Sequence, residues 1–217
     1  MTRTGAAGRP DLDDHAHTLI DWMQERQREI SIVLLVCTVV VVSGWLYTRW
    51  RGARAEGAAK ELAVAGEAVR AGNLPLARSE LKKVITRFDG TPAASQAAML
   101  LGQVLFEDGK YPEGIKELEP VAASGDKLMA AGAENLIGAG YEQLSKYDEA
   151  AAHYRKAAGL ALYPAERDNY LANAARVLSV SGKTAEARTL WESLANDQSS
   201  ELAAEARVRL GELAAKG

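Results

Sequence analysis

The residues of this 217-residue chain that could do chemistry are few and poorly placed for it. Its three histidines are His15, His17 and His153. His15 and His17 fall in a head that contains Gly, Arg and Asp. His153 stands beside Tyr154 with no Cys or second His at metal-ligand spacing, which reads as a surface or repeat-interface histidine. Glu107 and Asp108 directly precede Gly109 and so mark a solvated helix end, not an acid/base pair. Asp148 and Glu149 open an apolar-periodic segment, where negative charge complements a helix dipole. There is no phosphate loop, nucleophile elbow or dinucleotide fingerprint. The single cysteine, Cys37, lies inside an apolar run, so neither a disulfide framework nor a Cys-based zinc site is expected. These residues point away from an enzyme and from any resident metal or cofactor, and leave binding as the chemistry to look for.

The element that sets the layout is the run Ile30 to Tyr47, ISIVLLVCTVVVVSGWLY, which has no charge on any face. About 18 such residues suffice to cross a bilayer as a helix. Trp45, Tyr47 and Trp50 stand at its exit, as in the aromatic belt of a spanning helix. A cleaved signal peptide would have a shorter core and a shorter, basic lead. Here 29 residues precede the run, with Asp11, Asp13, Asp14, Asp21, Glu25 and Glu29 among them. Ala53-Arg54-Ala55 does resemble a cleavage site, and a buried soluble helix is the remaining alternative. The sequence thus divides into a cytoplasmic head (1–29), a transmembrane helix (30–48), a juxtamembrane linker (49–57) and a folded domain (58–217). In the head, residues 1–10 lack apolar periodicity and read as disordered. Leu12, Ala16, Leu19, Met23 and Ile30 then form an approximate helical stripe. That stripe is either an amphipathic helix on the headgroups or the frayed start of the spanning helix.

The formal net charge is -3. Up to Arg51 the charges cancel: Arg3, Arg9, Arg26, Arg28, Arg49 and Arg51 balance the six acids named above. No basic stripe is present, so nucleic acid is not an expected partner. Outside the run no stretch shows the period-two alternation of a strand, and the domain reads as all-α. Gly72, Gly109, Ser145 and Gly182 stand 37, 36 and 37 residues apart, each between two apolar-periodic segments. Seven residues before them lies a second series, Ala65, Gly102, Gly138 and Ala175, continued by Gly211. Small residues there let paired helices approach, so Gly138→Trp is expected to disrupt a hairpin by overpacking. Pro75 and Pro112 suit the first turn of a helix. Apolar residues recur three to four apart in the second helices, as in Ala77, Leu81 and Val84 or Ile115, Leu118 and Val121. One hairpin cannot bury such a face, whereas stacked hairpins can. About four hairpins, closed by a capping helix over Glu201 to Lys216, follow from this.

The pattern resembles the tetratricopeptide repeat. Its third unit matches best, through Ile137, Gly138, Tyr141, Tyr147, Ala150, Tyr154 and Ala157. The closing Pro falls late, at Pro164, and Gly114 stands where the motif usually has Ala. Units of this length exceed the usual ~34 residues, which implies longer inter-repeat turns. The resemblance implies a groove lined by the first helix of each pair. Its positions would be Gln96, Met99 and Gln103; Asn135, Ala139 and Glu142; and Asn169, Ala172 and Arg176. Gln and Asn can hydrogen-bond an extended peptide, and Met99 offers an adaptable apolar contact. Only Arg176 is basic, which disfavours capture of acidic tails.

The whole layout looks like the ancillary SecYEG translocon subunit family of bacteria. The exit of the run, Gly44-Trp45-Leu46-Tyr47 followed by Arg49 and Trp50, carries that likeness. It implies a non-enzymatic, single-pass inner-membrane adaptor with a cytoplasmic N-terminus and periplasmic repeats. Its partners would be the translocon, a periplasmic chaperone and newly exported proteins. A scaffold for cell-envelope or cell-division machinery uses the same parts and stays open. One feature opposes the periplasmic topology: Arg26 and Arg28 precede the run, while Arg49, Arg51, Arg54 and Lys60 follow it, and basic residues favour the cytoplasmic side.

Overall fold

The computed structural model describes residues 26–215, apart from the side chains of Gln27, Ile30 and Val33. The expectations for residues 1–25, including His15 and His17, lie outside the described residues. All regular structure within them is helical. The helices are α1 (Gln27–Arg70), α2 (Leu74–Arg87), α3 (Pro92–Glu107), α4 (Tyr111–Ala122) and α5 (Lys127–Gln143). They continue as α6 (Tyr147–Leu160), α7 (Pro164–Val180), α8 (Thr184–Asn196) and α9 (Ala203–Ala215). The chain falls into two units that part between Ala53 and Arg54. Residues 49–57, expected to be a linker, are helical and belong to α1. Ala53 and Ala55 favour helix and no Pro interrupts them, so nothing in this stretch breaks the backbone ladder.

In the first unit α1 leaves its apolar side chains uncovered. Ile32, Leu34, Leu35, Val36, Val39 to Val42, Trp45, Leu46, Tyr47 and Trp50 are all exposed. Among the described residues no helix is long and apolar enough to cross a membrane. Ile30 and Val33, which belong to the run identified in the sequence, are not among the described side chains.

The second unit is a stack of hairpins. The C-terminal part of α1 pairs with α2, then α3 with α4, α5 with α6 and α7 with α8, and α9 closes the stack against α8. Each hairpin turns through a left-handed residue: Gly72 (φ 67°), Gly109 (φ 73°), Ser145 (φ 57°) and Gly182 (φ 80°). The next N–H bonds a carbonyl of the helix just ended, as from Lys110 to Leu105 and from Lys146 to Tyr141. This 6→1 bond satisfies carbonyls the helix end would otherwise orphan. Starts are capped locally: Asn73 accepts from the Leu76 N–H, Thr91 from Ala94, and Asp126 from Leu128 and Met129. Pro75, Pro92, Pro112 and Pro164 occupy first turns, where no intrahelical donor is lost.

The core is a row of clusters along the stack, each joining two to four successive helices. Leu81, Val84, Leu101 and Val104 form the first with Ala58, Ala65 and Ala77. Leu118 and Ile137 centre the next, and Tyr154, Leu178, Trp191 and Leu194 the last. Burying one such Leu contributes about 1.5–3 kcal/mol. At Gly102 and Gly138 the small-residue series marks a close approach, whereas a Cβ on Gly211, which continues the series, would meet nothing within 4 Å. A Cβ on Gly138 would lie 2.9 Å from the Tyr154 ring, and one on Gly102 2.8 Å from Leu118.

Candidate functional site

The first helices α3, α5 and α7 carry the nine groove positions, and α3 packs on α5. On α3, Gln96 and Gln103 are exposed, about two turns apart on the same face. Met99 between them is half-buried and lies over Gly132, where a Cβ would come within 2.9 Å of its methyl. Met99 therefore packs α3 onto α5. Ala139 and Ala172 are half-buried against the last core cluster. Asn169 is exposed, and its amide donates to the Ala165 carbonyl at 2.7 Å.

The remaining three positions bond across the α5–α7 junction, two of them to each other. The Asn173 amide donates to Asn135 Oδ1 at 3.4 Å, linking α7 to α5. One turn further on, Arg176 donates to both carboxylate oxygens of Glu142, at 2.5 and 2.8 Å. Tyr154, whose ring fills the Gly138 gap, donates its hydroxyl to the same carboxylate at 3.0 Å. The only basic residue among the nine positions is thus held by an acid of the groove, leaving a polar face with no net charge at this point. Arginine's planar fork makes such a bidentate pair geometrically specific.

The Arg176 guanidinium holds the Glu142 carboxyl below its ordinary value of 4.5, against the opposing effect of burial. Burial, then the Glu142 charge, pushes the Tyr154 hydroxyl up, so it remains a donor across the physiological range. A carboxyl depressed on folding stabilises above its unfolded pKa, and that contribution disappears as pH falls through the folded one. Arg176→Gln is accordingly expected to lower the urea midpoint at pH 7. The difference from wild type should shrink below about pH 4. A difference independent of pH would show that the pair does not couple α5 to α7.

Beyond Arg176 the face continues into a cavity of about 360 Å³ between α7 and α9, lined by Ser179, Val180, Trp191, Arg209 and Leu213 among others. Arg209 is itself tied to Glu205 and Glu212. Nothing here aligns a nucleophile with a base, and among the described residues no three His, Cys, Asp or Glu converge as metal ligands. What this face can do is hydrogen-bond and pack against another chain.

The sequence reading missed the most unusual polar group. Glu134 on α5 is 1% exposed. The His153 Nδ1–H donates to its Oε2 at 2.6 Å, and Lys156 Nζ forms an ion pair with Oε1 at 2.5 Å. The His153 ring stacks on Tyr141, centroids 5.2 Å apart. His153 is therefore an interface residue that bridges α6 to α5, as its place beside Tyr154 suggests. The repeat register places Glu61, Ala98 and Leu171 at the equivalent positions, so an acid stands there in the first and third units.

The profile of a family described as the tetratricopeptide repeat-like domain matches residues 52–172, more than half of the chain. A crystal structure of a tetratricopeptide repeat protein from Parabacteroides merdae is similar in fold, with a TM-score of 0.59 and 15% sequence identity. The likeness covers 74% of this chain, and this chain spans 61% of that one. No curated protein sequence matches.

Proposed function

Because this chain belongs to the tetratricopeptide repeat-like domain family, whose fold is typically a non-enzymatic scaffold for protein partners, we propose that it is a membrane-anchored protein-interaction adaptor. Its α3–α5–α7 face takes the partner, and α1 up to Trp50 crosses the inner membrane once. The observation that carries the anchor is the uncovered apolar collar of α1. Among the described side chains, Ile32, Leu34, Leu35, Val36 and Val39 to Val42 are all exposed apolar groups. A helix apolar all round is stable only inside protein or inside lipid. The run is about 18 residues long, enough to span. The likeness to the ancillary translocon subunits extends the proposal: repeats in the periplasm, beside SecYEG, with a periplasmic chaperone and exported chains as partners.

Two measurements test it. Alkaline phosphatase fused after Gly217 is expected to be active, and green fluorescent protein at the same site dark. The reverse result would put the repeats in the cytoplasm, as the arginines after the run favour. A photo-reactive residue at the exposed Gln103 is then expected to cross-link a translocon subunit or a periplasmic chaperone in intact cells. Cross-links to septal proteins alone, with mid-cell localisation, would replace the translocon role by the division scaffold.

A further inference from the structure

Two arginines follow the apolar run, and both fold back along the helix. The Arg49 guanidinium lies over the Trp45 ring, 5.4 Å from its centroid. The Arg51 guanidinium lies over the Tyr47 ring, 5.6 Å away. Each spans one helical turn toward the N-terminus, the direction in which helical side chains lean. Both charges therefore sit at the level of the last apolar residues instead of beyond them. Among the described residues no carboxylate pairs with either guanidinium. The nearest acids in sequence are Glu29 and Glu56, and Glu56 is engaged by Lys60. A ring covers one face of a guanidinium but leaves its in-plane N–H donors open, and those donors match phosphate geometry. At about 100° per residue, the Trp45–Arg49 and Tyr47–Arg51 stacks lie on opposite sides of the helix. Exposed Trp50 falls between them.

We propose that this collar is a binding site for anionic phospholipids, in which Arg49 and Arg51 each hold the phosphate of a separate headgroup while Trp45 and Tyr47 seat the rings at the hydrocarbon boundary. The proposal rests on the membrane-anchor reading. It adds a lipid preference, located in the leaflet at the C-terminal end of the run, that spanning alone does not require. Charge complementarity selects the occupant, since two uncompensated cations at phosphate depth favour an anionic headgroup over a zwitterionic one.

The test uses the full chain carrying Trp22→Phe, reconstituted into phosphatidylcholine vesicles with a minor share of phosphatidylglycerol. Bromine on the acyl chains of one lipid at a time quenches Trp45 and Trp50. Trp191, buried in the repeat core, supplies a constant background. Brominated phosphatidylglycerol is expected to quench beyond its mole fraction, an enrichment on the order of fivefold for each arginine. Arg49→Gln with Arg51→Gln should return quenching to the mole fraction. Quenching by both lipids in plain proportion to their amounts in the wild type would overturn the lipid site and leave the anchor standing. Enrichment that survives the double substitution would also overturn it. No quenching by either lipid would overturn the anchor itself.

Discussion

Replacing His153 and Lys156 together by Ala is expected to destabilise the repeat domain by about 3–5 kcal/mol, the cost of stranding a buried charge. Glu134→Leu in the same chain is expected to be near neutral. The asymmetry comes from where each group can go. Glu134 is 1% exposed and lies between α5 and α6 with both oxygens occupied by these two donors. With the donors gone the carboxylate has no partner and no water. His153 and Lys156 are 29% and 60% exposed, so with Glu134 gone they turn to solvent. Leucine is also the residue that the fourth unit holds at the equivalent place, Leu171. Urea unfolding of the full chain in detergent, followed through Trp191 fluorescence, reads both values. Equal losses for the two variants would show that Glu134 is not sealed from water.

Gly114→Ala, which would bring the second unit closer to the usual repeat motif, is expected to destabilise by about 1–3 kcal/mol. A Cβ there would stand 2.5 Å from the Phe106 ring and 2.9 Å from the Gly102 carbonyl oxygen. The far end of the Phe106 ring lies against Gly140, where an added Cβ would come within 2.7 Å of it. Two glycines on successive helices, α4 and α5, thus make one slot for one aromatic ring. Phe106→Leu is expected to cost less in the Gly114→Ala background than alone, since it relieves the clash. A double-mutant cycle measures this coupling. Additive losses would mean that the carbonyl contact, not the ring, excludes the methyl group.

The all-helical stack was legible because its signals are local. Left-handed turn residues recur at Gly72, Gly109, Ser145 and Gly182. Prolines mark first turns, and apolar residues recur at helical spacing, so each hairpin is written within about 37 residues. The small-residue series at Gly102 and Gly138 was equally readable, since a missing side chain at a fixed register implies a close neighbour. The helical state of residues 49–57 was not legible, because the change from apolar to polar composition marks a change of surroundings, not the end of a helix. Of the groove positions, Gln96 and Gln103 stand exposed where the motif spacing put them, while Met99, Ala139 and Ala172 also serve the core.

By itself the sequence determined the turn positions, the hairpin count, the capping helix and which face of each helix is apolar, because these depend on backbone geometry and on residues a few positions apart. Only the tertiary structure decided which polar groups meet. Glu142 finds Arg176 on the next hairpin, Asn135 finds Asn173, Glu134 is sealed against His153 and Lys156, and Phe106 takes the room of two glycines. Periodicity gives the side of a helix on which a residue lies. The partner it meets there depends on the axial offset and rotation at which two helices pack, and those are set by the volumes of all the side chains between them.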